Sequence, residues 1–278
     1  MQQHSFTSSA NSQHFTGELF GTAILVFFGC SSVAVSILFH AHTGLWQIAM
    51  IWGVAVALAI YATRHLSCAH LNPAVSLAMA ASGRMKVRLL PVYLSGQFLG
   101  AFAAAALLYL LFGDTIVQFE LIHGIVRGTP ESVQTAMMFG EFYPNPGAGT
   151  AAVVTTATAF LAEMIGTFAL VFMIFSLTEG CNLGRPDNAL APLFIGATVA
   201  IIIAVIAPLT QAGLNPARDF SPRLFSLLAG WGDAALPVVP SGAIIVYLLG
   251  PIVGGLLAGG LFTRIIEPMM RSKKCEIC

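Results

Sequence analysis

The tripeptide Asn-Pro-Ala occurs twice in this chain, as Asn72-Pro73-Ala74 and as Asn215-Pro216-Ala217. Asparagine is a preferred residue at a helix N-terminus, because its side-chain oxygen accepts a hydrogen bond from an unpaired backbone N–H. Proline fits the first helical position, where its missing N–H costs nothing. Each copy therefore predicts the start of a helix and leaves an asparagine NH₂ group free to donate hydrogen bonds.

The composition places both motifs in an integral membrane protein. The 278 residues are 57% hydrophobic and 9% charged, with a formal net charge of zero, whereas a soluble domain carries about 25% charged residues. No basic or acidic run indicates a nucleic-acid partner. Residues 1–15 lack the basic region and the small-residue cleavage site of a signal peptide, so we expect the first apolar run to remain as a membrane helix.

Apolar stretches of about 20 residues are needed to cross the hydrocarbon layer. Six qualify, at about 16–38, 46–64, 89–112, 152–178, 189–210 and 242–264. Two shorter apolar segments, at about 73–83 and 216–229, follow the tripeptides and have the length of re-entrant half-helices. The sequence therefore predicts an all-α membrane protein with six transmembrane helices and two re-entrant half-helices.

The two halves of the chain repeat each other. Glu18-Leu19-Phe20-Gly21-Thr22 is echoed by Glu163-Met164-Ile165-Gly166-Thr167, and Gly96-x-x-x-Gly100 by Gly250-x-x-x-Gly254. Three spans per half is an odd number, so the second half must be inverted relative to the first. The predicted units are a polar cytoplasmic tail, a first repeat, an extracytoplasmic loop, a second repeat and a cytoplasmic tail, at 1–15, 16–112, 113–150, 151–266 and 267–278.

Lysine and arginine counts predict the orientation in the membrane. With both termini inside, Arg127, Arg218 and Arg223 face outwards. The cytoplasmic set is then three times larger, comprising Arg64, Arg84, Lys86, Arg88, Arg185, Arg264, Arg271, Lys273 and Lys274. We therefore expect both termini in the cytoplasm.

The backbone before each half-helix supplies a second kind of polar group. Such irregular backbone survives in a membrane only where it is buried in protein or lines a wet cavity. We expect a row of carbonyl acceptors from Cys68, Ala69, His70, Gln211, Ala212 and Gly213. Inverted symmetry brings the two half-helix starts together near the midplane. The result is a narrow pore with polar groups on one wall and apolar side chains opposite.

These motifs resemble the major intrinsic proteins, the family of aquaporins and aquaglyceroporins, over about residues 16–266. The chain is most similar to the glycerol facilitators, because Asn215-Pro216-Ala217-Arg218-Asp219-Phe220 carries the aspartate typical of that branch and Arg223 matches its later basic position. The long loop, with residues 123–128 and 143–146, is similar too. The resemblance implies a homotetramer with one pore per subunit, in the lipid bilayer of the plasma membrane.

The resemblance also implies a four-residue selectivity filter near the outer mouth, mapped here to Trp46, Ile203, Ala212 and Arg218. The tryptophan would form an apolar wall, and the arginine would donate hydrogen bonds to solute hydroxyls. This set looks closer to that of plant nodulin-like intrinsic proteins than to that of glycerol facilitators. Tyr247-Leu248 also departs from the glycerol facilitators, which usually show Pro-Leu there.

The predicted function is a passive channel for glycerol and other small uncharged solutes, with some water permeability and exclusion of ions and protons. Two buried acids, Glu18 and Glu163, also allow a different class of protein. They are the groups that a proton-coupled secondary transporter would use, although their symmetric placement favours acceptors that brace the loop of each half. The sequence is compatible, in addition, with a water-preferring aquaporin and with a non-transporting membrane scaffold.

Enzymatic activity is not expected, since the sequence shows no nucleophile–base pair. His70 has no partner at metal-ligand spacing, and Cys275-x-x-Cys278 has no second ligand pair, so that the two cysteines are interpreted as free thiols of a tail. We therefore expect no metal and no cofactor.

Overall fold

The computed structural model describes residues 2–42, 44–151, 153–237, 239 and 241–272. Cys275 and Cys278 lie outside these residues. In chain order the α-helices α1 to α11 are Gln2–Phe39, Leu45–Ser67, Pro73–Ala81, Leu90–Ile122, Val133–Ala136, Thr156–Thr178, Ala191–Thr210, Pro216–Ser226, Gly242–Ile244, Gly250–Leu261 and Glu267–Ser272. Shorter 3-10 and π-helical turns are Val87–Leu89, Pro130–Ser132, Pro146–Ala151, Leu227–Trp231, Gly232–Ala235, Ile245–Leu249 and Phe262–Ile266.

Six helical segments of the described chain are long and apolar enough to cross a membrane. They are Ala10–Phe39, Leu45–Ser67, Val87–Ile122, Thr156–Thr178, Ala191–Thr210 and Gly242–Arg271. The last of them joins α9, α10 and α11 through two π-helical turns. The prediction of an all-α protein with six spans and two half-helices is confirmed.

Two spans are longer than the sequence predicts. The first helix begins at Gln2 instead of near residue 16, and the helix of the third span runs to Ile122 instead of ending near residue 112. Residues 2–15 are polar but contain neither proline nor glycine, so nothing local stops the helix. The third span ends only where Gly124 takes a positive φ of 65°, which glycine adopts without a Cβ penalty.

The half-helices α3 and α8 begin at the two tripeptides. The Oδ1 atom of Asn72 accepts a hydrogen bond from the Ala74 N–H at 2.9 Å. That of Asn215 accepts from Ala217 at 3.0 Å and from Arg218 at 3.3 Å. Both predicted helix starts are confirmed, and the α3 and α8 helices are 9 and 11 residues long, too short to cross the bilayer.

Glycines bring the backbones of the spans into direct contact. A Cβ atom added to Gly100 of α4 would lie 2.2 Å from the carbonyl oxygen of Leu19 in α1. Its counterpart on Gly254 of α10 would lie 2.1 Å from the carbonyl oxygen of Met164 in α6. These contacts are equivalent in the two halves, and they set the close approach that small residues allow in lipid.

Gly100→Ala tests this contact. The new methyl group meets the Leu19 backbone, which cannot rotate away, so α1 and α4 must separate. We expect a loss of about 1–3 kcal/mol in the free energy of unfolding, measured by thermal unfolding in detergent. Gly113→Ala in the same helix is the control, because its nearest neighbour is the Tyr109 ring at 3.8 Å. Equal stability of the two variants would contradict the packing argument.

Candidate functional site

The two half-helices meet through their asparagines. The Nδ2 group of Asn72 donates to the carbonyl oxygen of Leu214 at 2.9 Å, and that of Asn215 donates to the carbonyl oxygen of Leu71 at 2.8 Å. Each amide group therefore bonds the loop of the other half. From the sequence, both N–H bonds of each group are expected to be free for the lumen. One of them is used here, because a buried carbonyl needs a donor, and the second N–H remains available.

The loops before the half-helices share an unusual backbone conformation. Positive φ angles occur at the fourth, third and first residues before each asparagine, at Cys68, Ala69, Leu71, Gln211, Ala212 and Leu214. None of these residues is glycine, and each such conformation costs of order 1–3 kcal/mol. It persists only where surrounding contacts impose it.

One buried carboxylate holds each loop. The carboxylate of Glu18 accepts hydrogen bonds from the backbone N–H groups of His70 at 2.9 Å and Leu71 at 2.7 Å. Glu163 accepts from the corresponding residues of the second loop, Gly213 at 2.9 Å and Leu214 at 2.7 Å. Both carboxylates are fully buried.

Side-chain donors complete the coordination of the two carboxylates. Gln97 donates to Glu18 at 2.6 Å, and Thr210 donates to Glu163 at 2.6 Å. In every one of these bonds the carboxylate is the acceptor. The contacts of both acids are therefore those of a group that holds its loop in place.

Two tyrosines, neither of them predicted as a site residue, also hold the loops. The Tyr93 hydroxyl donates to the carbonyl of Ser67, and the Tyr247 hydroxyl donates to the carbonyl of Thr210 at 3.1 Å. Each acceptor lies five residues before its asparagine. The signal was present in the sequence, because each tyrosine stands three residues before the first glycine of its Gly-x-x-x-Gly motif. Tyr247, which departs from the glycerol facilitator pattern, thus has a structural partner.

A cavity of about 400 Å³ lies beside the two asparagines. One of its walls is a single face of α2, where the lining residues recur every four positions at Trp52, Val56, Ile60 and Arg64. With a rise of 1.5 Å per residue, this face extends for about 18 Å. The helices α6 and α7 add mostly apolar lining from Leu170, Ile174, Thr178, Ala191, Pro192, Ile195, Val199 and Ile203.

The polar wall of the cavity comes from the loops and the half-helix starts. It is formed by Cys68, Ala69, His70, Leu71, Asn72, Ala212, Gly213, Leu214 and Asn215. Gln211, predicted to contribute a carbonyl, is not among the lining residues, and its side-chain oxygen accepts the Phe142 N–H at 2.7 Å. The remaining motif residues, Pro73, Ala74, Pro216 and Ala217, are buried at the helix starts.

Trp46 does not line the cavity, and its assignment to the filter is corrected. Its side chain is 55% exposed on the surface of the helix bundle, whereas Trp52 is 6% exposed and faces the cavity. The two tryptophans are six residues apart on one helix, which rotates their side chains by about 240° relative to each other. Only Trp52 belongs to the four-residue spacing of the lining face.

Arg218 lies against Trp52 at one end of the cavity. Its guanidinium carbon is 4.4 Å from the centroid of the Trp52 ring, a cation–π distance. Nη1 donates to the carbonyl of Phe139 at 3.2 Å, and Nη2 pairs with the carboxylate of Glu141. Ile203 and Ala212 also line the cavity. Three of the four residues predicted for the filter thus line the same cavity, and Trp52, not Trp46, packs against Arg218.

The other end of the cavity is lined by Arg64 and Arg84. Arg84 pairs with Glu179 at 2.6 Å and with Glu267 at 2.8 Å. Partial burial opposes ionisation of Glu179, but hydrogen bonds from the Cys181 N–H and from Arg84 outweigh it and hold the pKa of Glu179 below its ordinary value. These charges fasten the C-terminal helix to the chain segment that follows α3.

Sequence comparison matches residues 5–262 to the family described as Major intrinsic protein. The glycerol uptake facilitator protein of Haemophilus influenzae is 42% identical over 253 residues, covering 90% of this chain and 92% of that protein. The propanediol uptake facilitator of Salmonella typhimurium is 39% identical over 266 residues, covering 94% of this chain and 96% of that protein.

A structural comparison agrees with the sequence comparison. The X-ray structure of the aquaglyceroporin from Plasmodium falciparum superposes with a TM-score of 0.79 at 25% sequence identity, covering 95% of this chain and all of that one (100%).

Replacing Asn72 by alanine tests the junction of the two halves. The change removes the N-cap of α3, worth about 1 kcal/mol. It also removes the 2.9 Å donor of the buried Leu214 carbonyl, which keeps only the longer bond from the Thr167 hydroxyl at 3.4 Å. We expect this loss to cost about a further 1 kcal/mol. Thr155→Ala is the control, since Thr155 caps α6 at an exposed position. Thermal unfolding should show the larger loss for Asn72→Ala, and equal losses would contradict the cross-half bond.

Proposed function

Since this chain belongs to the major intrinsic protein family, we propose that it is a passive membrane channel for glycerol and other small uncharged solutes, with some permeability to water. The observation that carries the proposal is the position of Arg218. Its guanidinium packs against Trp52 at one end of a cavity that is apolar along α2 and polar along the loops.

This cavity suits a molecule with hydroxyl groups on one side and carbon-bound hydrogens on the other. Removing a hydroxyl from water without replacement costs roughly 1–3 kcal/mol, so a polyol passes only where the wall replaces most of its hydrogen bonds. Arg218, the second N–H of each asparagine and the loop carbonyls are the replacements available here. Trp52 and the aliphatic residues of α2 and α7 contact the hydrocarbon side.

We propose that ions and protons are excluded. Desolvating a charge costs far more than desolvating a hydroxyl, and the cavity offers few groups to replace an ion's hydration shell. Two half-helices point their N-termini towards the middle of the cavity, and this end of a helix dipole is positive. Together with Arg218, they oppose the entry of a proton or a metal cation.

Proton-coupled transport is the second candidate, and the contacts of Glu18 and Glu163 argue against it. Each acid accepts two backbone N–H bonds and one side-chain bond from its surroundings. Neither is among the residues that line the cavity. A group that carries protons needs access to the transport path, which these carboxylates lack.

The assembly and the orientation form part of the same proposal. The family resemblance supports a homotetramer with one pore per subunit in the plasma membrane. The excess of lysine and arginine on one side supports cytoplasmic termini. Mass measurement of the detergent-solubilised protein tests the tetramer, and a monomeric particle with full activity would exclude it as a requirement.

Stopped-flow light scattering on proteoliposomes tests the transport function. Vesicles shrink and then re-swell in a glycerol gradient if glycerol enters, whereas an impermeant osmolyte gives shrinkage alone and reports water flux. We expect fast re-swelling that does not change when the proton gradient is collapsed. Fast water flux without glycerol entry would favour a water-preferring aquaporin, and dependence on a proton gradient would favour the coupled transporter.

Two tryptophan variants test the filter assignment. Trp52→Ala removes the wall against which Arg218 packs, so we expect entry of a longer polyol to rise several-fold relative to glycerol. Trp46→Ala is the matched control, because that side chain lies outside the cavity, and its selectivity should equal that of the unchanged protein. Both are measured by the re-swelling assay. A change in selectivity for Trp46→Ala alone would reverse the assignment.

A further inference from the structure

The segment 113–150, which joins the two halves of the chain, contacts the guanidinium of Arg218. Its Nη1 group donates to the Phe139 carbonyl at 3.2 Å, and its Nη2 group contacts the carboxylate of Glu141. The side chains of Arg218 and Glu141 are 5% and 2% exposed. This is a largely buried ion pair, so its charges are screened far less than those of a surface pair.

The backbone of Glu141 is fixed on both sides of the side chain. Its N–H donates to Oδ1 of Asp219 at 2.7 Å, and its carbonyl accepts from Nη2 of Arg223 at 2.5 Å. Asp219 directly follows Arg218 in the chain. The loop and the half-helix are therefore locked in one register, with the Glu141 carboxylate aimed at the filter arginine.

The neighbouring charges leave Glu141 as the counter-ion of Arg218. Asp219 and Arg223 form a two-point pair, with Nε to Oδ2 at 3.0 Å and Nη2 to Oδ1 at 2.5 Å. Glu163 is used by the second loop. Within the described residues, Oε2 of Glu141 has no hydrogen-bond donor, so the carboxylate's one strong partner is the Arg218 guanidinium.

We propose that Glu141 is a specificity-determining residue of the filter, which acts through Arg218 by neutralising its charge and fixing the orientation of its donors. This inference rests on the proposed channel function. Hydrogen bonds from an uncompensated charged donor are stronger than those from a compensated one. Conduction requires a site that binds a solute strongly enough to admit it and weakly enough to release it. By compensating the charge of Arg218, Glu141 keeps the binding of a solute weak enough for its release.

Glu141→Gln removes the negative charge of the side chain and keeps its size and shape. The amide oxygen can still accept from Nη2, but the compensating charge is gone, so Arg218 should hold hydroxyl oxygens more tightly. We expect glycerol permeability per channel to fall by about three- to tenfold. The temperature dependence of the rate should steepen as well. A mere loss of folded protein would lower the rate but leave that temperature dependence unchanged, so the slope reports on the filter itself.

Two further variants control the experiment. Glu120→Gln removes a similar buried charge, because Glu120 pairs with Arg127 at 2.8 Å and neither residue lines the cavity. Its rate and slope should equal those of the unchanged protein. Glu141→Asp keeps the charge at a longer distance from Arg218 and should give a change of the same sign but smaller size. If Glu141→Gln does not fold, the graded effect of Glu141→Asp carries the test.

Water permeability is measured on the same vesicles. An unchanged rate and slope in Glu141→Gln, or equal losses in Glu141→Gln and Glu141→Asp, would overturn the inference. If the unchanged protein conducts water but not glycerol, the proposed function is overturned. The temperature dependence of water permeability in Glu141→Gln would then still test the role of Glu141. Protein that conducts neither would overturn both.

Discussion

The whole structure depends on satisfying two stretches of non-helical backbone inside a membrane. Hydrocarbon offers no hydrogen bonds, so an unpaired N–H or carbonyl there costs several kcal/mol. Glu18 and Glu163 each accept hydrogen bonds from the backbone N–H groups of the loop in their own half. The two asparagines donate to loop carbonyls of the other half. With these partners in place, six left-handed residues become tolerable, and backbone groups can remain beside the cavity.

The packing of the spans serves the same end. Glycines at 96, 100, 250 and 254 let α1 approach α4 and α6 approach α10, which brings each glutamate within reach of its loop. Tyr93 and Tyr247 come from the same helical surfaces and bond the start of the loops. Helix contacts and site geometry are therefore one arrangement, repeated with opposite orientation in the two halves.

The sequence predicted the architecture well because its signals are local and repeated. Span lengths, the Asn-Pro starts and the duplicated glycines each follow from short-range rules. The side chains that line the cavity were harder to predict. Trp46 and Trp52 are both tryptophans on one apolar helix, and only the direction of each side chain tells them apart. The four-residue spacing from Trp52 to Arg64 held that information, but residues 48–60 are apolar on every side of the helix, so the sequence does not show which side faces inwards. The pairing of Glu141 with Arg218 depends on the course of a long loop, which no local pattern predicts.

The reciprocal bonds between Asn72 and Leu214 and between Asn215 and Leu71 have a consequence for the autonomy of each half. One half inserted alone would present an asparagine amide donor and a leucine carbonyl acceptor. These two groups belong to adjacent residues, so they cannot form a hydrogen bond with each other. Both would be satisfied by a second copy of that half inserted in the opposite orientation. The covalent chain thus has the internal contacts of an antiparallel dimer, in which neither partner is complete without the other.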